Sequence, residues 1–326
     1  MIFETAWRHS LHQRAFLSRS AVGSGRVVVH ERRSRLVGLD VRDGGVRWDV
    51  PLGLWPYALT VTAGWCLAIP QWLPWLSCHE AVAGERLWRA ELPRFTGHLA
   101  VAGSVAVVGG WRGYTPQAGY DLADGSLLWR TDGPVAIERP HAFDDRVLVA
   151  DQDTGLIRAL DPRTGTDLAT WRLPEPVLKV DSGPVFLRLD AERVLVRAAS
   201  GSLWELRPGS GALRRLPGVP DQVRSVTVTG GLIWCNTGDR QVVVLEPGEA
   251  VPWARVKQYG WAAGVAAVAS GFVIASELGG LTLVNPAGEE VGHATVDKRI
   301  GGLHGVDRDR VLVRGKSELL AVDLRP

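Results

Sequence analysis

Short apolar runs recur along the whole chain, each preceded by a turn residue. They are VVV from 27, CLAI from 66, VAVV from 105, VLV from 147, 194 and 311, LIW from 232 and FVI from 272. Gly64, Gly103, Asp145, Gly231 and Gly271 stand just ahead of five of them. Apolar runs bounded by Gly, Pro and Asp read as buried strands. No stretch carries the 3.6-residue apolar periodicity of a helix. The chain is therefore expected to be all-β.

A second register runs in step with the first. Asp40, Gly44 and Trp48 stand four residues apart in LVGLDVRDGGVRW, and the spacing returns as Glu80, Gly84, Trp88 and as Asp121, Gly125, Trp129. ALDPRTGTDLATW keeps Asp161 and Gly165 but delays its indole to Trp171. Weaker copies place Arg207, Glu246, Asn285 and Asp323 at the same point of the unit. The repeat length is about 40 residues, which is the length of one propeller blade. Eight such units fill the chain, predicting an eight-bladed β-propeller of four-stranded antiparallel blades in a single domain, residues 1–326. The eighth unit ends at Asp323 without a fourth strand. Phe3–Trp7 supplies one, so the N-terminal strand is expected to close the last blade and remove an open sheet edge.

The residue two before the anchor is small in five units: Gly38, Cys78, Gly119, Ala159 and Ala321. Those are the units with an indole in place: Trp48, Trp88, Trp129, Trp171 and, in the closing strand, Trp7. Glu205, Val244 and Leu283 hold the position in the other three. The pattern predicts tryptophans wedged between neighbouring blades. Cys78 is then a packing residue.

The units, clearest at 159–171, resemble the pyrroloquinoline-quinone-like repeat over the full chain, strongly in the first four and the last. That family's eight-bladed propellers include quinoprotein alcohol dehydrogenases, an outer-membrane assembly lipoprotein and extracellular domains of bacterial kinases. The resemblance implies the fold and leaves the function open. The dehydrogenases use an adjacent Cys-Cys disulfide, a calcium ion and a catalytic Asp. Cys66, Cys78 and Cys235 are far apart, so no quinone or other cofactor is expected. No cysteine near the N-terminus offers a lipid attachment point.

Composition narrows the partners. The formal net charge is +2, which gives no electrostatic case for nucleic acid. No uncharged stretch reaches the ~20 residues of a membrane span. The N-terminal residues carry Glu4, Arg8 and Arg14 and no apolar leader, and the cysteines form no CxxC pair. A cytoplasmic setting and no metal site are expected. His79-Glu80 begins like HExxH, but residue 83 is Ala and Glu80 is a repeat anchor.

The 14 tryptophans exceed what the wedges need, and the surplus gathers in loops such as LWPY (54–57), QWLPW (71–75) and GWRGY (110–114). Candidate ligand-binding residues are Trp55, Tyr57, Trp72, Trp75, Trp111, Arg112, Tyr114, Arg139, Tyr259, Trp261 and Arg299. An aromatic face with arginines at its rim suits a partner protein, a peptide or a small aromatic or anionic ligand. The expected function is therefore binding. The alternative is a cofactor-independent cyclase, isomerase or lyase, with His98, His141, His304 and Asp181 moving protons at the mouth of the central channel.

Overall fold

A computed structural model describes residues 2–13, 19–109, 114–135, 137–151, 153–179, 184–258 and 260–325. Among these the chain forms eight four-stranded antiparallel sheets, each a consecutive meander, and no helix. The fold is an eight-bladed β-propeller. Two compact units divide it. One comprises 1–55, 81–83 and 217–326, and so holds the first and the last three blades; the other, 56–80 and 84–216, holds the second to fifth.

The second strand of each blade is the apolar run of the sequence. Val27–Val29, Cys66–Ile69, Val105–Val108 and Val311–Val313 are buried on both faces. That explains why these strands read as unbroken hydrophobic segments.

The N-terminal strand closes the last blade as expected. Ile2–Ser10 pairs antiparallel with Glu318–Arg325, and Leu11 just beyond it is fully buried. The strand also reaches the first blade: Trp7 Nε1 donates to the Val41 carbonyl at 3.2 Å, and His9 Nε2 lies 2.6 Å from Glu31 Oε2.

The indole wedges follow one geometry. Trp48 stands opposite Gly38, Trp88 opposite Cys78, Trp129 opposite Gly119 and Trp7 opposite Ala321. Each indole N–H donates across to the residue after the next anchor: Trp48 to Ala81 at 3.1 Å, Trp88 to Leu122 at 2.8 Å, Trp129 to Pro162 at 2.7 Å. The anchor carboxylates do what the turn needs. Asp40 Oδ1, for example, accepts from the Arg42 N–H at 2.9 Å.

Four blades solve the packing differently; in the seventh, Leu283 faces Gly292 and no indole stands in the register. In the fourth, Ala159 faces Ala169, and the delayed Trp171 faces Ile157 instead of the small residue, a correction to the expected pairing. In the fifth, Arg214 takes the indole's register opposite Glu205. Glu205 is almost fully buried and binds Arg207 at 2.9 Å, Arg214 at 3.1 Å and Arg193 at 3.5 Å. Burial alone would push its carboxyl pKa up, yet hydrogen bonds from Arg207 and Arg214 and the nearby arginine charges hold it below the ordinary range. In the sixth, Trp253 packs against Trp234 and Phe272, which lie 4.8 Å apart by ring centroid.

Candidate functional site

The second unit carries a row of four aromatic side chains drawn from separate loops and strands. Tyr57 meets Trp72 at 6.4 Å between centroids, Trp72 meets Phe95 at 5.5 Å, and Phe95 meets Tyr114 at 6.3 Å. All three contacts are edge-on, the arrangement ring quadrupoles favour. Three of the rings remain open to solvent: Trp72 is 56% exposed, Phe95 40% and Tyr114 60%. Isolated exposed apolar residues need no explanation, but a contiguous row of exposed rings makes this place the candidate site.

The backbone under this row is strained. Trp72 has φ 62° and Phe95 φ 66°, a left-handed conformation that bulky side chains rarely adopt. Each such residue costs on the order of 1–3 kcal/mol, and such strain gathers at binding sites. Here it turns two large rings outward. Trp75, three residues after Trp72, is the first residue of its strand and has the Arg89 guanidinium 4.9 Å over its ring.

The remaining candidates scatter. Trp111, Arg112, Asp181 and Tyr259 lie outside the described residues. Trp55 is half-buried, and Arg299 is exposed. Trp261, in the other unit, is capped by Arg224 at 4.1 Å. Of the sequence-based set, Tyr57, Trp72 and Tyr114 come together in the row. Phe95, the third ring of the row, is not among the ligand-binding candidates drawn from the sequence; it stands in a turn two residues after Pro93.

The three candidate histidines lie in settings that favour the neutral imidazole. His98 is 2% exposed, with no hydrogen-bond partner at either ring nitrogen. Burial, reinforced by the charge of Arg139, lowers its pKa to about 4. Burial and Arg188 do the same to His141, also to about 4. His304 Nε2 sits 3.0 Å from Ser20 Oγ, and burial and Arg314 lower its pKa too. That serine–histidine contact was not foreseen from the sequence.

The buried imidazoles set an acid limit on stability. His98 has a folded pKa well below its unfolded value of ~6.5. The folded state therefore binds fewer protons, and stability falls as pH drops from ~6.5 towards 4. The expected loss from His98 alone is roughly 3 kcal/mol. Urea midpoints at pH 7 and 4.5 should show it, and His98→Leu should flatten the acid limb. An equally steep limb in that variant would refute the assignment.

Residues 75–215 match the family model for the outer membrane protein assembly factor BamB. No curated protein matches the sequence. Among solved structures, BamB from Moraxella catarrhalis is 16% identical with a TM-score of 0.75, covering 99% of this chain and 100% of that one. The computationally designed Ika8 protein is 16% identical at a TM-score of 0.74, covering 94% and 95%. Saccharomyces cerevisiae Sqt1 is 12% identical at 0.75, covering both chains completely. Identities this low speak for the fold. The chain is thus an eight-bladed β-propeller that, over residues 75–215, is similar to the pyrroloquinoline-quinone-like repeat of that family model.

Proposed function

We propose that this propeller is a binding module that holds an extended segment of a partner protein against the aromatic row of its second unit. The observation that carries the reading is the run Tyr57–Trp72–Phe95–Tyr114, with its strained backbone and three exposed rings. Exposed rings in series fit apolar or proline side chains of an extended peptide, and aromatic residues dominate the energetics of such contacts. The family model that matches 75–215 describes an assembly factor, which agrees with a role in protein contacts. The proposed setting is cytoplasmic, where thiols such as the buried Cys66, Cys78 and Cys235 stay reduced.

An acid–base enzyme fits less well. His98 and His141 have pKa values of about 4, far from the neutral range where an imidazole carries protons best.

The test is selection of peptides from a displayed random library on the full chain. Enriched peptides should be rich in proline and large apolar residues. Trp72→Ala with Phe95→Ala should weaken their binding ~30-fold or more, the size of a central interface residue, while leaving the melting temperature in place. Failure to enrich any sequence, or binding unchanged in the double variant, would remove the aromatic row from the reading.

A further inference from the structure

A second feature lies in the other unit, between the sixth and seventh blades. There a cavity of about 160 Å³ opens between the inner strands of the two sheets. One wall is the sixth blade. Ser225, Asn236 and Val242 form a single cross-strand row, and Thr227 stands opposite Trp234 in a parallel row. The other wall is the backbone and small side chains of 262–265, where a bulge between Ala262 and Gly264 displaces the strand.

The polar wall has a direction. Asn236 is 5% exposed and donates from Nδ2 to the Ala262 carbonyl at 3.4 Å. That bond fixes which end of the amide is which. Its Oδ1 is then a buried acceptor with no partner. Buried carbonyl oxygens are almost always satisfied, and one that is not points to a missing water or ligand. Ser225 and Thr227, both hydroxyl residues, line the same space. None of the nine lining residues is charged. Trp234, Val242 and Val265 make the rest of the surface apolar.

We propose that this cavity binds one small neutral hydroxyl compound of phenol size. Its O–H would donate to Asn236 Oδ1, and its oxygen would accept from Ser225 or Thr227. Its ring would lie against Trp234 and Val265. The size argument is direct: an apolar cavity of ~150 Å³ holds one benzene molecule, so this one holds a single ring. Charge argues the same way, because an ionised ligand would meet no counter-charge in the lining. This proposal concerns a site separate from the aromatic row and stands whatever that row binds.

Titration calorimetry of the full chain with phenol and with toluene tests it. Phenol should bind saturably, one molecule per chain, at least tenfold more tightly than toluene. Asn236→Leu should abolish that preference. Thr227→Val, which keeps the side-chain shape, gives a second reading if the first variant folds poorly, and it should reduce the preference several-fold. No saturable binding, equal affinity for the two compounds, or a preference intact in both variants would overturn the proposal. A crystal soaked in phenol that shows only water in the cavity would do so too.

Discussion

Deleting Ile2–Ser10 should cost the protein most of its thermal stability, and Trp7→Ala alone should lower the melting temperature by roughly 5–15 °C. The closing strand contributes a full edge of antiparallel pairs to the last blade. It also supplies an indole that ties that blade to the first, through the bond from Trp7 Nε1 to the Val41 carbonyl. Truncating a buried tryptophan costs ~3–5 kcal/mol. Removing the whole strand additionally exposes the unpaired edge of Glu318–Arg325, an invitation to aggregate. Arg8→Ala is the control. Its ion pair with Glu318, 3.1 Å long between two exposed side chains, should contribute less than ~1 kcal/mol. A shortened chain that melted with the full one would refute the closure.

How much of this was legible beforehand follows from how local each signal is. Strand runs, anchors and indoles repeat at fixed spacing, so the blade count could be read from the eight units and the closing strand from residues 3–7 and 323. The fifth blade could not. Glu205 and Arg214 face each other across adjacent strands, and nothing in LWELRPGSGALRR says that Arg193, twelve residues upstream, completes the cluster. Trp171 misled for a related reason: a two-residue delay keeps the indole but moves it to Ile157. The binding row was half legible. Loop tryptophans stood out by composition, yet Phe95 joined them only through a left-handed backbone that its residue type argues against. The role of Asn236 was not legible, since its free oxygen exists only once Ala262 of the next blade takes its N–H.

Gly125→Ala should be among the most costly single-methyl additions in the chain, and its cost should depend on Trp88. Two effects meet at this glycine. Its φ of 76° is left-handed, which costs an alanine ~1–2 kcal/mol. A Cβ there would also stand 2.5 Å from Cε3 of the Trp88 ring, closer than van der Waals contact allows. The ring cannot simply swing aside, because its N–H is bonded to Leu122 at 2.8 Å within the same turn. Displacing it forfeits part of the ~3–5 kcal/mol of a buried tryptophan. The sum expected for Gly125→Ala is therefore on the order of 4–6 kcal/mol. In a Trp88→Ala background the steric part vanishes and only the backbone part should remain, a coupling of at least ~2 kcal/mol between the two sites. Gly25→Ala isolates the backbone part within the wild-type chain. It shares the left-handed φ, at 69°, but a Cβ there meets nothing within 4 Å, so it should cost only ~1–2 kcal/mol. Urea denaturation of the four variants decides the point. If Gly125→Ala cost the same with and without Trp88, the glycine would serve the turn alone, and the account of why the repeat spaces its glycine and its tryptophan as it does would fail.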